Sequence, residues 1–261
     1  MSGLRRGFEM ASKQEGETTS LMAKLFLDRL VKIYRGRKVV DSISIDVESG
    51  GVFGLLGPNG AGKTTTFYMA VGMIKPDEGK VFINDEEITG APMYIRARKG
   101  LGYLSQEASI FRKLTAKQNV MAILELQSIS KQEQEDRANT LLDELGIRHL
   151  SNQKAALLSG GEKRRLEISR SLATNPKFIL LDEPFAGIDP LAVIDIKNII
   201  RHLRNRGIGI LISDHNVRET LGVCDMAFIL NEGKIIESGP PEKIASSEIA
   251  RRIYLGDEFR L

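Results

Sequence analysis

Gly57-Pro58-Asn59-Gly60-Ala61-Gly62-Lys63-Thr64 stands between an apolar run, Val52, Phe53, Leu55 and Leu56, and a segment of helical character that begins near Lys63. The stretch fits G-x-x-x-x-G-K-[ST], the pattern of a phosphate-binding P-loop. Glycines there let backbone N–H groups converge on phosphate oxygens, and the helix N-terminus that follows adds partial positive charge at the same place. Lys63 is placed to reach β and γ phosphates, and the Thr64 hydroxyl to ligate Mg²⁺. The bland reading is a tight strand-to-helix turn with a chance lysine. The flanking strand and helix patterns argue against it independently.

Composition limits the rest. With 261 residues, 42% of them hydrophobic, the chain can bury one substantial core and carry a subordinate lobe. Lys and Arg total 37 against 34 Asp and Glu, a dispersed net charge of +3 that does not point to nucleic acid. One cysteine, Cys224, excludes an internal disulfide and fits a reducing compartment. No apolar run approaches the roughly 18 residues that span a bilayer, and the polar start of the chain lacks a signal-peptide core. The expectation is a cytoplasmic protein that meets a membrane only through partners.

Residues 1–22 mix Gly, Ser, Thr, Lys and Glu with little apolar periodicity and read as a disordered leader. Alternation at Leu25, Leu27 and Leu30, and again at Ile43, Ile45 and Val47, predicts two strands joined by a turn at Arg35-Gly36-Arg37. Tyr34 stands at the mouth of that turn, where its ring could stack on a nucleobase or simply pack. Beyond the P-loop helix the pattern predicts a strand over 80–83, a short basic helix over 94–99 and a strand over 101–104. Residues from about 111 to 158 read as mainly helical, a candidate lobe inserted between strands. Later come strands over 178–182 and 208–212, each followed by a helix, and two β-like runs flanking Asn231-Glu232-Gly233. Alternating β and α patterns predict an α/β protein with a largely parallel sheet covered by helices.

Phosphoryl transfer to water needs charge stabilisation, a held metal and an aligned water. Asp182, ending the apolar run Phe178-Ile179-Leu180-Leu181, suits a metal-organising carboxylate. Glu183, one residue on and expected to point elsewhere, suits the general base that polarises the water. His215 and Gln106 also follow apolar strands, the first able to touch the γ-phosphate, the second to complete the Mg²⁺ shell or contact the water. Ser159-Gly160-Gly161 opens a helix with exposed N–H groups and a free hydroxyl, which makes a second anion site. A single chain has little use for two phosphate cradles, whereas two copies placed head to tail could each close on the other's nucleotide. A plain helix cap is the alternative.

Taken in order, these residues resemble the ATP-binding cassette family from about Ala23 to the C-terminus. The correspondence comprises a Walker A loop (57–64), a Q-loop glutamine (Gln106), a signature sequence (158–162), a Walker B strand (178–182), Glu183, a D-loop (Ala186-Gly187-Ile188-Asp189) and a switch His215. The resemblance implies a P-loop NTPase fold: a RecA-like, mostly parallel sheet core, an antiparallel β subdomain and a helical subdomain at about 111–158, within one ATPase domain over 23–261. It implies ATP and Mg²⁺ as cofactors. Nucleotide contacts would come from Tyr34, Gly57, Pro58, Asn59, Gly60, Ala61, Gly62, Lys63, Thr64, Thr65, Ser159, Gly160, Gly161 and Asp189. Thr64, Gln106 and Asp182 would serve the metal, and Glu183, His215 and Gln106 the chemistry. Glu162 stands where many members carry glutamine, and Ser105 where relatives often have proline.

Within the family, the stretches 64–69, 106–112 and 182–187, with the ending Tyr254-Leu255-Gly256 and Phe259-Arg260-Leu261, are similar to the ATPase subunits of lipopolysaccharide export transporters of Gram-negative bacteria. That similarity implies a homodimer on the cytoplasmic face of the inner membrane, bound to two transmembrane permease subunits near Phe111 and Arg112. ATP would close the dimer and hydrolysis reopen it. The ATPase of a branched-chain amino-acid importer shares the architecture and is the nearest rival, and a soluble non-transport ATPase of the same family is another. The absence of an Asn-Lys-x-Asp segment disfavours a GTPase.

Overall fold

β7 (Phe178–Asp182) has no exposed residue, so both its faces must be covered. It sends Phe178 and Leu180 into one hydrophobic cluster and Ile179 and Leu181 into another, as the two-residue period of a strand requires. The computed structural model describes residues 22–107, 109–256 and 259. The leader expected over 1–22 therefore lies, except for Met22, outside the described residues.

Two sheets organise these residues. In the larger one, β10 (Lys234–Gly239), β9 (Met226–Asn231), β3 (Val52–Leu56), β8 (Gly209–Ser213), β7 and β6 (Leu101–Leu104) lie side by side in that order. All neighbours are parallel except β10, which returns antiparallel along β9. The smaller sheet is antiparallel, in the order β2 (Arg37–Glu48), β1 (Lys24–Tyr34), β4 (Glu78–Ile83), β5 (Glu86–Glu87).

Between the sheets runs α1 (Lys63–Val71), burying Phe67, Met69 and Ala70 against Leu27, Ile43 and Ile45 of the small sheet and Leu55, Leu180 and Leu211 of the large one. Each of the larger apolar side chains buried here contributes about 1.5–3 kcal/mol. The opposite face of the large sheet is covered by α5 (Gly160–Leu172) and α6 (Pro190–Asn205). In α6, Ile196, Ile199, Ile200 and Leu203 recur at helical spacing to form the buried stripe. Residues 111–158 supply α3 (Ala116–Leu124) and α4 (Lys131–Glu144), with short 3₁₀ turns after them. Val120, Leu124, Leu141 and Leu142 of these helices share a cluster with Leu166 and Leu172 of α5.

The short basic helix is α2 (Met93–Arg98), but its middle arginine is not a solvated surface charge. Arg96 is 1% exposed. Its guanidinium donates to the carbonyls of Met69 and Ala70 at the C-terminal end of α1, and to those of Thr89 and Ala91. Burial lowers its pKa to about 10. A fixed cation at the negative end of the P-loop helix satisfies carbonyls that no amide can reach.

Candidate functional site

Parallel strands deliver their carboxyl ends to one edge of a sheet, which is where ligands gather in such folds. β3 leads into the Gly57–Thr64 loop, β6 into Gln106, β7 ends on Asp182, and β8 ends at Ser213 just before Asp214 and His215. Register makes neighbours of them: Leu104 pairs with Leu181, and Asp182 with Ser213.

The glycine loop is pressed onto its surroundings. A Cβ on Gly57 would lie 2.2 Å from the Leu230 carbonyl oxygen, and one on Gly62, which has φ +107°, would lie 2.6 Å from that of Val39. No side chain caps the N-terminus of α1 and no acidic residue occupies its first turn. α3, α4, α5 and α6, by contrast, are capped by Thr115, Ser130, Ser159 and Asp189. The uncapped amides of α1 fit an anionic group. Lys63 is buried, and its Nζ donates to the carbonyls of Gly57 at 2.6 Å and Pro58 at 3.1 Å. Burial lowers its pKa, opposed by the carboxylates of Glu183, Asp214 and Asp182. Thr64 is exposed at the same helix end, and Thr65 half-buried beside it.

Asp182 is 5% exposed, and burial raises its pKa. Its Oδ2 accepts from the Tyr103 hydroxyl at 3.2 Å, but Oδ1 has no hydrogen-bond partner, and neither does the adjacent Ser213 hydroxyl. Such orphaned buried oxygens next to a lysine and an uncapped helix fit a hydrated divalent cation. Among the described residues no cluster of three or more His, Cys, Asp or Glu could hold a metal by itself, so an ion here would complete its shell with phosphate oxygens and water.

Glu183 does diverge from Asp182, but not through strand alternation. It lies just past the strand with φ +47°, a left-handed conformation that turns the chain sharply. Glu183 Oε2 accepts from Gln106 Nε2 at 2.9 Å and lies 3.6 Å from His215 Nδ1. Asp214 holds this corner: it is wholly buried, its Oδ2 accepting from the Phe185 amide and its Oδ1 from the Asn216 amide.

Ser159 differs from expectation. Its hydroxyl is not free but closes a capping box, with Oγ accepting from the Glu162 amide and Glu162 Oε2 accepting from the Ser159 amide at 2.7 Å. That amide bond lowers the Glu162 pKa. Gly160 and Gly161 are exposed with open space at both Cβ positions, so their amides can face an anion. Asp189 likewise accepts from the amides of Leu191 and Ala192, capping its own helix. A cleft of about 240 Å³ brings Gly160 and Gly161 together with Gln106, Glu183 and Ala186.

Tyr34 is half-exposed at the end of the small sheet, with Lys32 Nζ 5.5 Å over its ring. Phe111 also has a cation over its ring, but it is Arg170 at 5.0 Å, not the neighbouring Arg112. Arg170 donates to the Ser109 carbonyl and hydroxyl, and Asn119 brackets the Phe111 backbone, so α5 and α3 together set this loop.

Sequence reasoning missed Tyr103, Asp214 and Tyr254. Asp214 could have been read from its place at the end of β8. Tyr254, in a π-helical turn (Arg251–Leu255), belongs to the ending similar to exporter ATPases, which gives it no role in the site, yet its hydroxyl donates to the His215 carbonyl at 3.2 Å.

Comparison with known proteins agrees with this geometry. A family profile described as ABC transporter matches residues 40–186. The chain is 56% identical over 241 residues to the lipopolysaccharide export system ATP-binding protein LptB of Escherichia coli strain K12, covering 92% of this chain and 100% of that protein. It is 55% identical over 232 residues to the protein of the same name from Acidithiobacillus ferridurans, covering 89% and 96%. A solved ATP-binding cassette of an ABC transporter in its ADP conformation superposes with a TM-score of 0.81 at 30% identity, covering 90% of this chain and 100% of that one. The chain belongs to the ABC transporter family, as one of its ATP-hydrolysing subunits.

Proposed function

We propose that this chain powers a lipopolysaccharide exporter, working as a homodimer on the cytoplasmic face of the inner membrane beneath two transmembrane subunits. The observation that carries the catalytic part is the meeting of Gln106 and His215 at the Glu183 carboxylate, beside the buried, half-satisfied Asp182. The transport part is supported by identity along the full length of relatives named for lipopolysaccharide export. Among the described residues no helix is long and apolar enough to cross a membrane, which accords with docking through partners.

In this reading the amides of residues 57–62 and the Lys63 ammonium hold the polyphosphate, with Tyr34 against the base. Thr64, Gln106 and Asp182 hold Mg²⁺, which when bound supplies Lewis-acid stabilisation of phosphoryl charge. Glu183 takes the proton from the attacking water, His215 orients it, and Gln106 keeps the carboxylate aimed. Ser159, Gly160 and Gly161 of one protomer cover the terminal phosphate bound by its partner, with Asp189 nearby. Phe111 and Arg112 meet the transmembrane subunits: a ring held by Arg170 from below offers a rigid apolar anchor.

Affinity purification of the chain with its membrane partners tests the assignment. The expected result is co-purification with permease subunits of a lipopolysaccharide exporter, weakened by Phe111→Ala. Recovery with amino-acid importer permeases instead would reject it.

A further inference from the structure

β1 and β2 are joined through Arg35 and Gly36, so Tyr34 and Arg37 sit directly opposite each other, and opposed residues share a face of the sheet. Arg37 therefore stands beside the Tyr34 ring. With its neighbours Lys38 and Val39 it also lines a pocket of about 380 Å³, whose walls include Pro58, Asn59 and Gly60 of the P-loop and Asn231 and Glu232 of the β9–β10 turn. That turn is stapled in place: the Gly233 amide donates to the Ala61 carbonyl at 3.0 Å, and the Asp41 amide to the Gly233 carbonyl at 2.8 Å. Nearby charges are already matched, since Lys38 and Lys234 both pair with Asp41. Among the described residues, no hydrogen bond or ion pair engages the side chains of Arg37 and Glu232, which are both exposed.

A carboxylate beside a polyphosphate cradle raises the local anionic charge and so works against phosphate. Glu232 also occupies a costly backbone position, with φ +45° in a two-residue turn whose first place favours Asn, Asp or Gly. Both costs are offset if the carboxylate meets donors rather than phosphate. With phosphates on the α1 N-terminus and a base on Tyr34, the sugar has to cross this pocket, and its hydroxyls are the donors that a carboxylate binds well. We propose that Glu232 is a specificity residue that accepts hydrogen bonds from the ribose hydroxyls of the bound nucleotide, with Arg37 on the opposite wall pairing with the phosphate next to the sugar. This rests on ATP binding at the P-loop as set out above.

The test is binding and steady-state hydrolysis of ATP, 2′-deoxy-ATP and 3′-deoxy-ATP by the full chain. Wild type is expected to favour ATP over at least one deoxy analogue by about tenfold, the worth of one charge-assisted hydrogen bond at a wet site. Glu232→Asn, which suits the turn better and so keeps the fold, is expected to bring the analogues and ATP within about twofold. Arg37→Ala is expected to raise KM for all three alike. Equal use of the three nucleotides by wild type, or a preference that survives in Glu232→Asn, overturns the ribose assignment and leaves the P-loop reading intact. Failure of the wild type to bind any of them, or unaltered binding by Lys63→Ala, overturns the P-loop reading and this one with it.

Discussion

Gln106 donates to Glu183 across 77 residues of sequence, Nε2 to Oε2, at 2.9 Å. The two arrive from neighbouring strands whose register aligns Leu104 with Leu181, so the contact is set by the sheet and not by either loop alone. His215 Nδ1 approaches the same oxygen at 3.6 Å from the next strand over. A carboxylate reached from both sides in this way is aimed before any substrate arrives, which lowers the reorganisation cost of the chemical step.

If Glu183 takes the proton from the attacking water, Glu183→Gln keeps the contact geometry and removes the base. Turnover is expected to fall by ~10² or more while ATP binding persists and a closed dimer accumulates. Single-turnover hydrolysis combined with size-exclusion chromatography in ATP checks both. Unchanged hydrolysis would remove Glu183 from that role.

Asp182 carries a cost in the nucleotide-free fold. Burial raises its pKa, with the Glu183 and Asp214 charges adding to the rise and the Tyr103 hydroxyl and Lys63 opposing it. An acid with a raised folded pKa keeps its proton in the folded state over a pH window in which the unfolded chain has released it. Stability therefore falls as pH climbs from the ordinary carboxylate value through the raised one. Asp182→Asn removes this loss. Its melting temperature without nucleotide is expected to exceed wild type at pH 7, by on the order of 1 kcal/mol or ~2–4 °C, with the gap closing toward pH 4. Thermal melts across pH read the difference directly, and Mg²⁺-dependent hydrolysis is expected to be lost in the same variant. A gap that widens on acidification would contradict the assignment.

Ser159 is expected to serve two subunits. Ser159→Ala loses a helix cap, at a cost of about 1 kcal/mol, and also loses a hydroxyl offered to the partner's phosphate. Thermal stability reports the first. Mixed dimers report the second: one altered cradle is expected to silence the opposite P-loop and spare its own. A lone subunit hydrolysing at full rate would exclude the shared site.

What could be read from the chain follows the range of the interactions. The glycine loop, the apolar run ending at Asp182 and the alternation of strand and helix are local, so they were legible and fixed the larger sheet. Contacts that cross the fold were not. Arg96 reads only as part of a short basic helix, because nothing near it in sequence shows that four carbonyls, two of them at the end of α1, converge on its guanidinium. Ser159 read as a free hydroxyl, although Glu162 three residues on is the capping-box signature and could have been recognised. Phe111 and Arg112 are neighbours in sequence, but the cation over the Phe111 ring comes from α5, a contact that the chain order does not show.

Tyr254 ties a turn near the end of the chain to the histidine corner of the site. Its hydroxyl donates to the His215 carbonyl at 3.2 Å, and burial pushes its pKa up to about 12, so it remains a donor throughout the physiological range. A hydroxyl bonded to the His215 backbone helps to hold the corner that faces Glu183. Tyr254→Phe keeps the ring in its place and cuts only this link. Nucleotide affinity is expected to stay within about twofold, because the amides and Lys63 that hold phosphate are untouched, while hydrolysis falls several-fold, about the loss expected from one net hydrogen bond of ~1 kcal/mol. ATP titration alongside phosphate release distinguishes the two effects. Equal losses in both would make Tyr254 a support for the fold of the site, and no loss in either would show that His215 keeps its position without it.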